Sequence, residues 1–470
     1  MTDQPTSQPS AAGSARVAAP VLGWRQLVGE GRGRLTIGIL LVEFVAAVQS
    51  SVVASIMPAV AHDLGGIQFY GLVFSGYFLA SIAATPAAGQ AADRQGPARP
   101  FTLMIGIFAL GTLAAGFAPS MPVLAAARLV QGWGGGAQYT IAYGAIAKAY
   151  PEAGRARILA LLSAMWIIPG LLGPGFGSVV ASTVGWRWAF FALLPLMAVA
   201  MFMVVPSLAT IPGTASPGPT LRLRWPLLLA GGTGLFVTGL AVSSWLAIPV
   251  AAAGLAILVP SAVRVMPPGT FRARPGLGST VLVGLLTNFG FFTGFVFLPL
   301  LVTRVAGRSL FEGGAAVTIV NLTWSLGAWW QTRAIERWNK SSLVRWSSLL
   351  LGLGLAGTAA PVVGLPVIVS YAAWGLAGAA MGVAFNTLYL VAAETAPKGF
   401  ETGAIASLQN TNRLGIALGT GLGGAAVATA HYAGAPVAAG LAGAFGLAAA
   451  VTLFSALLAG RLYAGDPPPG

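Results

Sequence analysis

Cysteine is absent from the 470 residues, histidine occurs only as His62 and His431, and charged residues make up 8% of the chain. Each shortage excludes something. Without cysteine there is no disulfide framework, thiolate nucleophile or Cys-ligated metal, and two histidines cannot build a His-rich centre. No metal and no cofactor is therefore expected. No Gly-x4-Gly-Lys-Ser/Thr loop is present to cradle a nucleotide phosphate, and no two carboxylates are spaced for paired acid–base work, so the chain does not read as an enzyme. A water-facing surface needs about a quarter to a third of its positions charged. At 8% the chain cannot cover even one soluble domain, and its solvent must be lipid.

What is present agrees. Hydrophobic residues make up 56%, with 64 glycines and 31 prolines, and the mean hydropathy is +0.81. Small residues let membrane helices approach closely, and neighbouring helices accommodate proline breaks. The formal net charge of +14 raises nucleic acid as a partner, but the basic residues are spread between apolar runs without a dense aromatic-interleaved block. No nucleic acid is expected; the charges read as orientation signals. Residues 1–34 are rich in Ser, Ala, Pro and Gly and lack a signal-peptide pattern. They read as a disordered cytoplasmic tail.

A bilayer core takes about 20 apolar residues per helix. Counting runs on that basis gives six spans over 35–208, two shorter ones within a linker over 209–278, six more over 279–462, and a short cytoplasmic tail at 463–470. The expected fold is thus an all-α polytopic membrane protein of fourteen spans, arranged six, two, six. Basic residues test the map, because they concentrate on the cytoplasmic side. With a cytoplasmic N-terminus, 20 of the 25 lie inside; only Arg187, Arg304 and Arg308 lie outside, and Arg128 and Arg413 fall within spans. Both termini are expected in the cytoplasm, at the inner membrane. The two middle runs insert together or not at all, since losing one would put Arg333, Arg337, Lys340 and Arg345 outside.

A half-repeat is visible. Asp93-Arg94 after the second span is echoed by Glu336-Arg337 at the same place in the last six. Gly173-Pro174-Gly175-Phe176-Gly177 in span five is echoed by Gly419-Thr420-Gly421-Leu422-Gly423. Two bundles of common plan suit rocking about a midplane site.

Four segments carry a family resemblance. Gly89-Gln90-Ala91-Ala92-Asp93-Arg94-Gln95-Gly96 resembles the loop motif between spans two and three of the major facilitator superfamily, with its basic cluster reduced to Arg99. Arg128-Leu129-Val130-Gln131-Gly132 resembles that superfamily's Arg-x-x-Gln-Gly motif in span four. The Gly173–Gly177 segment is similar to the antiporter motif of span five, and residues 53–64 to the end of span one in the fourteen-spanner drug:proton antiporter branch. The resemblance covers the chain from residue 35 and implies two six-helix bundles, two extra central helices and transport by alternating access. It further implies a latch at Gly89, Asp93, Arg94, Glu336 and Arg337, with gating at Gln131, Gly173, Pro174 and Gly177.

Span one departs from the branch. Where an aspartate is usual, about nine residues before Pro58, this chain has Gln49, which carries no titratable proton. The same span carries Glu43, the only acid clearly inside any span, about 9 Å nearer the cytoplasm and about 240° round the helix. Glu43 is the candidate proton carrier, with Arg128 and Arg413 as the other intramembrane charges involved in coupling. A charge within a span costs about 2.5–3.5 kcal/mol even on the lenient insertion scale, so each should face a polar interior; a structural carboxylate or a packing hydrogen bond is the alternative. Spans that line the centre in this superfamily offer Gln49, Gln138, Tyr139, Tyr143, Asn288, Phe289, Phe292, Tyr371, Trp374, Asn386 and Tyr389 as cavity residues. Large apolar walls with scattered amides suit an amphipathic or lipophilic substrate.

The function this implies is secondary active transport, with proton-coupled export of lipophilic or amphipathic compounds. A lipid or metabolite carrier of the same fold without proton coupling is the first alternative, and a non-transporting sensor or scaffold the second. The partners implied are the bilayer, the substrate and protons, and a monomer is expected.

Overall fold

The computed structural model describes residues 29, 32–150, 157–158, 161–162, 164–213, 223–243 and 245–463, without the side chains at 32, 139, 147 and 402. Most of the 1–34 tail, residues 464–470 and the Tyr139 side chain lie outside the described residues. Among those described, fourteen membrane-length helices run in sequence. The first six are α1 (Arg32–Leu64), α2 (Tyr70–Gln95), α3 (Ala98–Gly116), α4 (Met121–Ala149), α5 (Ile167–Val180, ending in a π turn, Ala181–Gly185) and α6 (Arg187–Leu208). Then come α7 (Arg224–Ala241) and α8 (Ala247–Val265). The last six are α9 (Leu277–Arg304), α10 (Leu310–Ala334), α11 (Lys340–Thr358), α12 (Val367–Glu394), α13 (Glu401–Tyr432) and α14 (Val437–Leu458). The six-two-six count read from hydropathy is the observed one. Ten of these helices are long and apolar enough to cross a bilayer by composition alone; α4, α7, α10 and α11 fall short of that mark.

Short connections force neighbouring helices to run antiparallel. One end of the bundle therefore gathers Lys148, Arg224, Arg264, Arg333, Arg337, Lys340 and Arg345, and the other only Arg187, Arg304 and Arg308. We call these the basic and the charge-poor faces.

The two bundles repeat one packing scheme. In the first, α2 packs on α4, α3 on α4 and α6, and α1 on α5 and α6; in the second, α10 packs on α12, α11 on α12 and α14, and α9 on α13 and α14. The glycine echo is the residue-level expression of this. Gly173 and Gly177 of α5 face Ser51, Val52 and Ser55 of α1, while Gly419 and Gly423 of α13 face Phe289, Thr293 and Phe297 of α9.

The bundles meet along two seams, α2 against α13 and α5 against α10, which the repeat makes equivalent. At the first, Gly71 lies on Thr420 and Gly424; at the second, Gly314 lies on Pro174 and Ser178. The inserted pair breaks the symmetry. Helix α7 packs on both α2 and α13, with Val237 against Gly421 and the Tyr432 hydroxyl donating to the Ala241 carbonyl at 3.2 Å. An apolar cluster of Leu79, Ile82, Leu229, Leu258, Leu414 and Ala417 joins this seam to the pair. Trp225 sits between the guanidiniums of Arg224 and Arg264, 4.8 and 4.2 Å from its ring centre, tying α7 to α8 at the basic face. Among the described residues the α5–α10 seam has no such cover.

Toward the charge-poor face a single apolar core contains Val52 to Ala61, Tyr70, Phe74, Phe291 to Val302, Val317 and Val427, and so belongs to both bundles. Toward the basic face the cores separate: one around Leu35, Ile39, Ala88, Ile141 and Val204 in the first bundle, another around Val281, Val344, Leu388 and Leu408 in the second. The buried apolar core is thus shared between the halves toward the charge-poor face and divided between them toward the basic one.

Candidate functional site

Three charged side chains lie deep in the spans. At 1.5 Å per residue, Glu43 sits about 16 Å along α1 from its Arg32 end. Thr85 of α2, Gln138 of α4 and Arg413 of α13 lie at about the same depth, roughly 15–18 Å from the basic ends of their helices. This polar layer lies where the shared apolar core gives way to the two separate ones.

Glu43 is 5% exposed. Its Oε1 accepts a hydrogen bond of 2.6 Å from the Trp166 indole N–H, at the start of α5. A cavity of about 20 Å³ beside it, room for about one water, is lined by Glu43, Tyr77, Phe108, Gly135 and Gln138. Gly135 makes that space, because a Cβ there would run into the Tyr77 hydroxyl. Across the junction, the Arg413 guanidinium donates to the Thr85 hydroxyl, and its charge attracts the Glu43 carboxylate. Thr85 in turn donates to the Ser81 carbonyl at 2.8 Å. One layer therefore links α1, α2, α4 and α5 of the first half to α13 of the second.

Arg128 lies higher, about 10 Å from the charge-poor end of α4. It is 3% exposed and fully engaged: its Nε donates to the Val73 carbonyl at 3.2 Å, its Nη1 to Gln131 Oε1, and its guanidinium lies 4.5 Å from the centre of the Tyr77 ring. Gln131 donates onward to the Thr112 hydroxyl at 2.8 Å. The Arg-x-x-Gln-Gly segment thus fastens α4 to α2 and α3. Tyr77 touches both this knot and the Glu43 cavity.

At the basic face, Asp93 pairs with Lys148 at 3.0 Å, joining the end of α2 to the end of α4. The latch expected at Glu336 and Arg337 is placed differently. Both are exposed, and neither forms an ion pair among the described residues. The corresponding tie of the second half is Lys340 to Glu394 at 3.0 Å, with the Tyr463 hydroxyl donating to the other Glu394 oxygen at 2.6 Å. Burial, then the bond to Glu394, push the Tyr463 hydroxyl well above its ordinary range. In the first half the acid lies in the last turn of α2 and the base ends α4; in the second the base opens α11, just after α10, and the acid ends α12. Gly89 lies against Thr140, and Arg94 is exposed. Pro174 faces α10 while Gly173 and Gly177 face α1.

Several expected cavity residues are core instead. Trp374 is fully buried and stacks on Phe291 at 5.3 Å, Phe289 is buried against Gly419, and the Asn288 amide donates to the Gly284 carbonyl of its own helix. Tyr371 reaches the Glu312 carbonyl at the charge-poor face. Phe292 meets Phe78 of the first half at 6.2 Å, Tyr389 packs on Phe385, and Tyr143 and Asn386 are half-buried. Gln49 is 2% exposed, and its Oε1 has no hydrogen-bond partner. Sequence reasoning missed Trp166, Tyr77 and Thr85. An indole with a polar handle inside an apolar run was the available signal for the first; hydroxyls in a span carry none.

Two repeated bundles joined around a layer of buried polar side chains are the architecture of a membrane carrier. The chain belongs to the Major Facilitator Superfamily, whose family model matches residues 39–420. It is a multi-pass membrane transporter with multidrug-efflux relatives. A probable multidrug-efflux transporter of Mycobacterium tuberculosis is 29% identical over 452 residues, covering 91% of this chain and 94% of the relative. An efflux pump of Dothistroma septosporum is 26% identical over 305 residues, covering 60% and 51%. Among solved structures, an auto-inhibited POT family peptide transporter superposes with a TM-score of 0.70 at 14% identity, over 93% of this chain and 98% of that one. A D-xylose–proton symporter gives 0.63 at 14% identity, over 92% and 96%. These likenesses at low identity concern the fold alone.

Proposed function

We propose that the protein exports lipophilic or amphipathic compounds in exchange for protons, with the basic face in the cytoplasm and Glu43 as the proton carrier. The observation that carries this is the Glu43 layer: a carboxylate buried in α1, beside a water-sized cavity and electrostatically joined to Arg413 of the opposite half. A group that gains and loses a proton there changes the attraction between the halves, which is the coupling an antiporter needs. The multidrug-efflux names of the relatives support the substrate class. The basic-face charges support the orientation. A pH unit supplies about 1.4 kcal/mol and 100 mV about 2.3 kcal/mol per charge, enough to drive accumulation without a nucleotide.

The test is flux in proteoliposomes of the full chain under an imposed pH gradient, using a lipophilic dye. Glu43→Gln is expected to cut gradient-driven dye flux at least about tenfold while gradient-independent exchange persists. Full pH-gradient dependence in that variant would sink the assignment. One observation favours a second reading. The Gln49 amide, whose oxygen has no hydrogen-bond partner among the described residues, stands where the branch has its acid, which suits a carrier that binds a neutral polar group and runs uncoupled. Dye flux without accompanying proton flux in the unmutated protein would favour it.

A further inference from the structure

Among the described residues the charge-poor face has three arginines, and two of them line one open cavity together with a histidine, all three exposed. The cavity has a volume of about 260 Å³ and is walled by Pro58 and His62 of α1, Thr303 and Arg304 at the end of α9, Arg308 in the following loop and Leu310 at the start of α10. It therefore sits on the junction between halves, with the imidazole from the first and both guanidiniums from the second.

The nearby acids are committed elsewhere. Asp63 accepts from the Trp186 indole and from Arg187, each at 2.9 Å. Glu312 closes the capping box of α10, accepting from the Ser309 N–H and hydroxyl at 2.9 Å each. Its charge reaches Arg308 through space, yet among the described residues no carboxylate pairs with Arg304, Arg308 or His62 within the 4 Å of an ion pair. Helix electrostatics explain only part of the cluster. Arg304 ends α9, where a cation is favoured, but Arg308 precedes the N-terminus of α10, where it is opposed. Orientation rules disfavour basic residues on this face as well. Two guanidiniums and an imidazole, exposed and without an ion pair among the described residues, border one pocket at the junction and therefore point to an anion.

We infer that this cavity binds a phosphate-type oxyanion that bridges the two halves at the charge-poor face. Guanidiniums suit such a group through paired N–H donors, and His62 can donate in either protonation state. At about 30 Å³ per water, the space holds a tetrahedral oxyanion with several waters. An occupant held by both halves binds an arrangement that joins them here better than a parted one, so it favours that state. The oxyanion is either a lipid headgroup, since the cavity lies at the ends of the spans, or free phosphate.

The experiment measures the melting temperature of the full chain in nanodiscs. The conditions are nanodiscs of the phosphorus-free lipid digalactosyldiacylglycerol in phosphate-free buffer, the same with inorganic phosphate, and the same lipid containing phosphatidylglycerol. Arg304→Gln/Arg308→Gln removes the site, Arg304→Lys/Arg308→Lys keeps its charge, and Arg333→Gln removes a charge from the basic face. A saturating ligand is expected to raise Tm by about 4 °C. The Lys pair and Arg333→Gln should retain most of the rise, and the Gln pair should lose it. A rise with inorganic phosphate identifies the free ion and a rise with phosphatidylglycerol alone identifies the headgroup; the site stands in either case. No rise in either arm, or an equal rise in the Gln pair, overturns it.

Discussion

The seams α2–α13 and α5–α10 are built from the same plan and finished differently. In both, a glycine near the start of one helix meets two residues four apart on the other: Gly71 on Thr420 and Gly424, Gly314 on Pro174 and Ser178. The first is then sealed by backbone contact, by the α7 cover and by the Arg413–Thr85 bond. The second is held by side chains that donate to opposing carbonyls: Ser178 to Leu310, Thr318 to Leu171 and Asn321 to Gly170, each at 3.2 Å. Its outer edge presents Ile168, Leu172 and Phe176, all exposed. The difference teaches that the inserted pair is no passive spacer. It converts one of two equivalent seams into the tighter one.

Substitutions can break or sharpen that contrast. Gly71→Ala should cost most, because its Cβ would lie 2.6 Å from the Gly424 Cα and against the Thr420 carbonyl, and backbone cannot rotate away. A loss of about 2–3 kcal/mol in thermal or denaturant unfolding is expected, despite alanine's better helix propensity. Gly314→Ala should cost less, about 1–2 kcal/mol, since its worst contact is the Ser178 hydroxyl, which can turn, leaving the Pro174 carbonyl at 2.9 Å. Equal losses at the two glycines would remove the asymmetry. Asn321→Leu should cost about 1 kcal/mol by freeing the Gly170 carbonyl. Tyr432→Phe should cost about 0.5 kcal/mol, because it removes one bond from a seam that α7 holds by packing. A larger effect for Tyr432→Phe than for Asn321→Leu would show that α7 acts by hydrogen bonding.

The architecture was legible because membranes impose a length on apolar runs and a sign on loop charges, and both marks survive in one sequence. The glycine echo was legible for the same reason as the seams: only a residue without a side chain permits those approaches. The site was legible only as far as Glu43, Arg128 and Arg413, whose charge stands out against an apolar span. Their partners were not, since Trp166 is 123 residues from Glu43 and Thr85 is 328 from Arg413. Trp374, Phe289 and Asn288 were misplaced for a related reason. Lipid is as apolar as a protein core, so α9 and α12 are hydrophobic all round and no stripe distinguishes cavity from core. The latch at Glu336 moved to Lys340 and Glu394 because an acid beside an arginine in a loop fixes no geometry.

Helix α7 has a mechanical consequence. In the proposed transport cycle, a strut fastened to both bodies along one edge would set the axis about which they turn, and in a rigid rotation displacement grows in proportion to distance from that axis. The covered edge would move little. The edge at Ile168, Leu172 and Phe176 would swing widest, and its exposed apolar side chains suit hydrocarbon, so the lipophilic substrate proposed above would reach the interior sideways through the wide end of a wedge.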